Sequence, residues 1–196
     1  MKQIAKSGKK ILFVSTKKQA KSIVADAAKK LDMPYITERW PGGLLTNFST
    51  IRKSIKKMDG IDKMKTDGTF DTLSKRERLQ IDRTREKLEI NLGSIVKMNR
   101  MPAAIFIIDI NKEHIALKES AKLGIRSFAV TDTNTNPSLV NYPIPGNDDA
   151  SKSISHIVEV VSQAISEGLS ERSDEQDKKA LEKQKKAKKI AEEAKK

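Results

Sequence analysis

The sequence predicts an α/β fold, in which a parallel β-sheet carries helices on both faces. Short apolar runs alternate with amphipathic helices in both the first and the last third of the chain. Between them lies a segment with two narrow apolar seams and many basic residues, which predicts an inserted helical hairpin. From Ser170 the chain is nearly all Glu, Lys, Ala, Ser and Gln, which is typical of a basic tail, helical or disordered. The predicted domains are residues 1–45 with 101–169, residues 46–100 and residues 170–196.

The first elements follow from a change of hydrophobic period. The run Ile11–Val14 is continuously apolar, which predicts a strand buried on both faces. Apolar residues then recur at spacings of three and four from Ala20 to Leu31, which predicts a helix. We expect Ser15 or Thr16 to cap that helix. The segment "PYIT" is a brief second strand.

Two helices are predicted in the insertion. The first helix has an apolar seam, and the second runs from Ser74 to about Lys97, with Ser74 and Glu77 forming a capping box. Seams this narrow favour an antiparallel coiled-coil hairpin over an independent core. The apolar seam residues are Phe48, Ile51, Ile55 and Met58 in the first helix, and Ile81, Leu88, Leu92 and Ile95 in the second.

The α/β alternation then resumes. The segment "PAAIFIIDI" predicts the strongest strand, and "KEHIALKESAKLG" predicts a helix that ends at Gly124. Another buried strand, "RSFAVTD", and a short strand near Ile144 follow. The last core helix carries apolar residues from Ile154 to Ile165 and is expected to stop at Gly168.

Composition points to a polyanionic partner. Lys and Arg outnumber Asp and Glu by 39 to 26 over 196 residues, which gives a net charge of +13. Such a field attracts nucleic acid, although the charge could also serve solubility or reside in the tail. The absence of cysteine excludes disulfides, thiolate metal sites and cysteine nucleophiles. No apolar run approaches the roughly 20 residues of a membrane helix.

Open parallel sheets bind ligands beyond the carboxyl ends of their strands. After the first strand, "STKKQAK" lacks the glycine-rich dinucleotide fingerprint and the phosphate-loop pattern. Lys17 and Lys18 nevertheless lie near a helix N-terminus, where they could bind a nucleic-acid phosphate. They could equally be a solvated pair.

Carboxylates also follow the later strands. Asp109, Asp132, Asp148 and Asp149 could converge to hold a hard cation such as Mg²⁺, serve as general acids or bases, or dock a partner. The favoured interpretation is structural, with Asp148 or Asp149 capping the final helix. In the same interpretation, Asp132 with Asn134 and Asn136 builds Asx-type turns.

Catalysis has no positive support in the sequence. His114 and His156 are the only histidines, and each is expected at a helix surface without a second ligand nearby. No Ser-His-Asp arrangement and no nucleophile elbow is present. We therefore predict no catalytic residue and no firm metal site.

The hairpin is the better candidate for binding, because a rigid basic rod can follow phosphates. Few aromatic residues are present for base stacking, so recognition of the shape and backbone of folded RNA is expected. The predicted contacts on the hairpin are Arg52, Lys53, Lys56, Lys57, Arg76, Arg78, Arg83 and Arg85.

The segment "RWPGGLLTNF" joins the sheet to the hairpin. Its proline and glycines permit a sharp turn, and Thr46 or Asn47 can cap the first hairpin helix. The predicted hairpin joint consists of Trp40, Pro41, Gly42 and Gly43. The tryptophan is interpreted as a wedge against the hairpin base, with base stacking as the alternative. Arg39 and Asn47 are further candidate RNA contacts.

Several of these segments resemble the bacterial small-subunit ribosomal protein S-two family. "KKILFVSTKKQA" resembles its first complete βα unit, "RWPGGLLTNF" its double-glycine segment and "DGTFDTLSKRE" the turn of its hairpin. "PAAIFIIDINKEHIALKESAKLGIR" resembles its second signature, and "VTDTNTNP" and "IPGNDDA" resemble its last sheet-edge loops. The resemblance extends from about Gly8 to Ala150, and by position through the final helix.

The resemblance implies a flavodoxin-like, Rossmann-like α/β domain with a coiled-coil hairpin. It implies a non-enzymatic structural protein of the small ribosomal subunit in the cytoplasm, which binds small-subunit rRNA and contacts neighbouring small-subunit proteins. It also implies docking of ribosomal protein S-one at the Asp132, Asp148 and Asp149 corner. No membrane partner, no required cofactor and no homo-oligomer are expected.

The chain departs from the family pattern at two places. The histidine-phenylalanine-glycine-histidine run of the family, and the strand after it, are not present before Met1, so the N-terminal segment is expected to be lacking. Pro41 stands where many relatives have leucine. Two rival functions remain open: a flavodoxin-like enzyme for a phosphorylated small molecule, and a coiled-coil module that docks proteins.

Overall fold

Five parallel strands form one sheet in the computed structural model, which describes the backbone of residues 1–193 and the side chains of residues 1–175. The strands are β1 (Ile11–Val14), β2 (Tyr35–Ile36), β3 (Ala104–Ile108), β4 (Arg126–Thr131) and β5 (Tyr142–Pro145). Their spatial order is β2-β1-β3-β4-β5, and every neighbouring pair is parallel. This is the flavodoxin-like order, whose switch point lies between β1 and β3. The predicted fold class is confirmed.

Six α-helices accompany the sheet within the described residues. They are α1 (Lys2–Lys6), α2 (Lys18–Lys30), α3 (Phe48–Thr66), α4 (Lys75–Leu92), α5 (His114–Lys122) and α6 (Ser151–Glu193). Short 3-10 turns occupy Thr69–Thr72, Gly93–Ile95 and Pro137–Leu139. Helices α3 and α4 come between β2 and β3, so the hairpin interrupts the α/β alternation as the sequence indicates.

The two faces of the sheet are covered by different helices. Leu12 and Val14 face a cluster that includes α5 residues and the base of the hairpin. Ile11 and Phe13 face a cluster built from α1, α2 and α6. Every residue of β1 and β3 is buried, which explains why both read as continuous apolar runs rather than alternating ones.

The edge strand β5 is protected by its prolines. The amide of Gly146 donates to Thr131 O, so residues of even number in β5 turn their backbone groups toward β4. Pro143 and Pro145 occupy the alternate positions and offer no N–H to solvent. Proline is tolerated in sheets mainly at such edges, where it discourages pairing with a further strand.

The prediction that the last core helix stops at Gly168 is wrong, because α6 continues to Glu193. Gly168 is buried where α1 crosses α6, and a Cβ there would lie 2.4 Å from Lys2 O. Glycine is therefore present for a close helix crossing and not as a helix end. Lys2 also pairs with Glu167 at 3.1 Å and Glu171 at 2.8 Å. Within the predicted tail, residues 194–196 lie outside the described residues.

Other helix ends differ from expectation by small amounts. The capping box of α4 is confirmed, since Ser74 and Glu77 satisfy each other's backbone amides. The helix ends at Leu92, earlier than the predicted Lys97, and continues as a 3-10 turn. Helix α2 has Lys17 at its N-cap without a side-chain cap, so the predicted Ser15 or Thr16 cap is wrong. None of the helices described here is both long and apolar enough to cross a membrane.

Candidate nucleic-acid interface and strand-end cluster

The hairpin is held together by a thin apolar seam, as the sequence predicts. Ile55, Met58 and Ile61 of α3 are buried, whereas Leu92 is the one buried residue of α4. Gly68, at φ +74°, begins the turn between the helices. Because most of the hairpin surface is exposed, its charged side chains decide what the arm can contact.

Some of the predicted phosphate contacts are engaged inside the protein. Arg85 pairs with both Asp62 and Glu89. The Arg78 guanidinium lies 3.8 Å from the Asp71 carboxylate, and Arg52 donates at 3.4 Å to the carbonyls of residues 96 and 98. These three arginines join parts of the hairpin to one another, and their contact with rRNA phosphates stays a prediction.

The remaining predicted contacts are exposed. No ion pair of the described side chains involves them, so their charges face solvent. They are Lys18, Arg39, Lys53, Lys56, Lys57, Arg76 and Arg83. Asn47 is also exposed, at the N-cap of α3, and its side-chain oxygen accepts from Thr50 Oγ1 at 2.8 Å instead of capping an amide.

The joint between sheet and hairpin closes around one carboxylate, that of Glu119 in α5. Its Oε1 accepts from Trp40 Nε1 at 3.0 Å and from the amide of Gly43 at 2.8 Å. Its Oε2 accepts from the amides of Leu45 and Thr46 at 3.0 and 3.1 Å, and from Thr46 Oγ1 at 3.2 Å. Five donors thus converge on a side chain from a distant helix.

The local sequence of the joint suits this arrangement. Gly43 has φ +81°, a left-handed conformation that favours glycine. Trp40 is 7% exposed and packs in the cluster under the hairpin base. With its indole N–H already bonded to Glu119, Trp40 acts as a wedge and is not displayed for base stacking.

Burial of Glu119 acts to raise its pKa, but the hydrogen bonds from Trp40 and from the amides of the joint outweigh it, so the pKa lies below its ordinary value. Sequence reasoning missed this residue. The available sign was its position between Leu117 and Ser120, on the buried stripe of α5, where an acidic residue needs partners.

At the carboxyl ends of the strands, the Lys17 side chain lies beside three carboxylates. Its Nζ lies 2.7 Å from Asp148, 2.6 Å from Asp149 and 3.4 Å from Asp109. Burial acts to lower the pKa of Lys17, but its hydrogen bonds to Asp148 and Asp149 and the charge of Asp109 raise it above the ordinary value. With its side chain 12% exposed, Lys17 is a counter-ion of these carboxylates, and its contact with a nucleic-acid phosphate stays a prediction.

The three predicted docking carboxylates do come together. Single oxygens of Asp132, Asp148 and Asp149 lie within 4.8 Å of one another. Asp148 is fully buried, and its Oδ2 has no hydrogen-bond partner among the described residues. Asp132 accepts from the amides of Thr133 and Asp148, and these bonds hold its pKa below the ordinary value. We call these carboxylates, with Lys17 and Asp109, the strand-end cluster.

The predicted helix caps and turns here are only partly right. Asn147 Oδ1 accepts from the amides of Asp149 and Ala150 at 2.8 Å each, so an asparagine, and neither predicted aspartate, organises the entry to α6. Asn136 does build an Asx turn, since its Oδ1 accepts from the amide of Ser138 at 3.0 Å.

The loop after β1 is fixed by residues before and at the start of α5. The amide of Thr16 donates to Glu113 Oε1 at 2.7 Å, and Lys112 Nζ donates to Thr16 O at 3.1 Å. These contacts leave the Lys17 side chain directed into the cluster. His114 and His156 are both exposed, as expected for surface histidines.

Comparisons with known proteins identify close relatives. A family model described as Ribosomal protein S2 matches residues 1–168. The small ribosomal subunit protein uS2 of Flavobacterium johnsoniae is 65% identical over 182 residues, covering 93% of this chain and 72% of that protein. The uS2 protein of Christiangramia forsetii is 65% identical over 173 residues, or 88% of this chain and 58% of that protein. The chain thus spans between about three fifths and three quarters of the length of these relatives.

Proposed function

Because the chain belongs to the ribosomal protein S2 family, we propose that it is a structural constituent of the small ribosomal subunit, in the cytoplasm, and supports translation by binding small-subunit rRNA. The family is a structural one and not a family of enzymes. The binding mode that we propose is recognition of RNA shape and backbone, in which basic side chains contact phosphates.

The observation that carries the RNA-binding proposal is the set of unpaired cations on the hairpin. Lys53, Lys57 and Arg83 are exposed on the two-helix arm, and the described residues place no carboxylate in an ion pair with them. The net charge of +13 supplies long-range attraction to the phosphates of RNA. Arg39, at the base of the arm, extends the same basic surface.

The test is co-sedimentation of the full chain with small subunits, joined to filter binding of purified small-subunit rRNA at several salt concentrations. We expect a linear fall of log affinity with log salt, with a slope of about −0.7 to −0.9 per phosphate contacted. Absence of both sedimentation and rRNA binding would overturn the proposal. Saturable binding of a phosphorylated small molecule that persists at high salt would instead favour the enzyme alternative.

For the strand-end cluster, we propose a role in docking a neighbouring protein, with ribosomal protein S-one as the partner. The support is one exposed acidic side chain, Asp149, beside the more buried Asp132 and Asp148. Carboxylate oxygens also suit Mg²⁺. A divalent cation would have to compete with Lys17 Nζ, which lies within 2.7 Å of both Asp148 and Asp149.

Two variants separate these roles. Asp149→Asn should weaken capture of S-one by the full chain while leaving rRNA binding intact. Lys17→Met should uncover any cation site, so that millimolar Mg²⁺ raises the melting temperature of the variant but not that of the parent. Unchanged capture by the first variant would contradict the docking role, and an equal Mg²⁺ response of both proteins would contradict the competition.

A further inference from the structure

The two long faces of the hairpin differ in how their charges are satisfied. On one face, Arg85 pairs with Asp62 across the two helices, and Lys65 pairs with Asp82 at 2.6 Å. Each of these positive charges therefore has a carboxylate beside it. The other face carries a groove between α3 and α4, and the described residues place no carboxylate in an ion pair with its charges.

The groove consists of two cavities that share Thr84. The cavity near the joint has a volume of about 520 Å³, and the cavity nearer the tip has a volume of about 460 Å³. Because Thr84 lines both, the two cavities adjoin one another along the arm, and we call them together the hairpin groove. Its walls include Arg39, Lys57 and Lys87, whereas no carboxylate of the described residues lines either cavity.

Helical spacing adds further cations along both rims of the hairpin groove. On α4, Arg76 and Arg83 precede Lys87 by eleven and four residues, which places the three on one side of the helix. On α3, Lys53 precedes Lys57 by four residues. All five are exposed, so two rows of positive charge run beside the hairpin groove.

The interior of the hairpin groove offers neutral hydrogen-bonding groups and a partly apolar floor. Ser54, Thr84 and Asn91 line it with hydroxyl and amide groups, and Ile61 and Met64 contribute apolar surface. Hydroxyl and amide side chains are common partners of phosphate and sugar oxygens. A concave surface lined by one sign of charge also concentrates the field on a bound polyanion.

We propose that the hairpin groove is the RNA-facing side of the arm and receives the sugar–phosphate backbone of one rRNA segment along its length. This inference rests on the proposed rRNA binding and adds which face of the arm makes the contact. The opposite face, where ion pairs cross between the helices, holds the hairpin together. Lys87, Ser54, Thr84 and Asn91 thereby join the interface, although sequence reasoning did not select them.

The test compares two double charge reversals in the full chain. Lys57→Glu with Lys87→Glu alters both sides of the hairpin groove, and Lys63→Glu with Lys75→Glu makes the same net change at exposed hairpin positions that do not line it. We expect the first variant to lose roughly 10- to 100-fold in affinity for purified small-subunit rRNA, with a salt slope shallower by about 1.5. The control should lose only a few-fold and keep its slope.

The outcomes separate this inference from the proposed function. If the parent does not bind rRNA, the proposed function fails first. If the parent binds and both variants lose equally, or the groove variant loses nothing, the inference is overturned while the function stands.

A tethered probe gives an independent readout, since the chain has no cysteine. Thr84→Cys carrying a hydroxyl-radical source should cleave one local rRNA segment in reconstituted subunits, whereas the same source on Lys63→Cys should cleave that segment more weakly. Equal cleavage from both positions, or a cross-link from position 84 to a protein and not to RNA, would overturn the inference.

Discussion

Replacing Glu119 by glutamine should loosen the hairpin joint, because an amide cannot accept from all five donors. If the glutamine oxygen takes the place of Oε2, its NH₂ group faces the N–H groups of Trp40 and Gly43. If the side chain is flipped, the NH₂ group faces the two amides and the hydroxyl bonded to Oε2. The first arrangement is the less costly and leaves two donors unpaired, the buried indole N–H of Trp40 and the partly buried amide of Gly43.

Each buried donor without a partner costs about 1–3 kcal/mol, so we expect Glu119→Gln to lower the free energy of unfolding by about 2–6 kcal/mol. That is a large part of the 5–15 kcal/mol typical of a domain. The exposed Glu159→Gln on α6 is the matched control and should change stability by less than about 0.5 kcal/mol.

Urea denaturation followed by two probes measures this effect. Trp40 is the only tryptophan and donates to Glu119, so its fluorescence reports on the joint, while far-UV circular dichroism reports on all helices. The parent and the control should show coincident transitions. In Glu119→Gln we expect the fluorescence transition at lower urea than the helical one, because the joint opens before the sheet.

The pH dependence provides the sharper check. The pKa of Glu119 is lowered in the folded protein. Its ionised form therefore adds to the free energy of unfolding above the unfolded pKa of about 4.3, and this contribution is lost as pH falls through the folded pKa. The stability gap between parent and variant should be constant near pH 7 and shrink below about pH 4. A gap under 1 kcal/mol at pH 7, or one independent of pH down to 3, would refute the reasoning.

Four other substitutions test different features of the structure. Lys17→Met leaves buried Asp148 without its counter-ion and should lower the free energy of unfolding, measured by urea denaturation, by about 3 kcal/mol. Because the pKa of Lys17 is raised in the folded protein, this loss should persist up to the unfolded pKa of about 10.4. Gly43→Val forces a β-branched residue to φ +81° and should cost at least about 1–2 kcal/mol and reduce incorporation into small subunits. Gly168→Ala places a methyl group 2.4 Å from a backbone carbonyl of α1 and should lower stability by about 1–3 kcal/mol. The methyl group of Gly60→Ala in α3 would enter open space, so this substitution should raise stability by roughly 0.5–1 kcal/mol.

The contrary results are equally specific. A Lys17→Met protein as stable as the parent at pH 7 would show that the cluster tolerates an unpaired carboxylate. Normal subunit incorporation of Gly43→Val would contradict the role of the joint in orienting the hairpin. If the two glycine-to-alanine variants changed stability in the same direction, the close crossing of α1 and α6 would not be the reason for glycine at position 168.

Local patterns in the sequence were sufficient for the elements of the sheet. The run Ile11–Val14 is the observed β1, because a strand covered on both faces must be apolar at every position. Ser74 and Glu77 marked the start of α4, since a capping box involves only neighbours in the chain. Gly168 was misread because glycine serves both helix ends and close helix crossings, and only the partner helix distinguishes them.

For the candidate interface too, some properties followed from the sequence and others only from the tertiary structure. Its basic character is a property of composition, and the sequence determined it together with the fold class and the hairpin. Tertiary structure decided which basic side chains are ion-paired: Arg85 and Lys17 meet carboxylates from other elements, whereas Lys57 meets none among the described residues. Along the sequence, Glu119 is more than 70 residues away from the joint that its carboxylate closes. Such contacts depend on how strands and helices are placed by the sheet, and no periodicity along the chain encodes them.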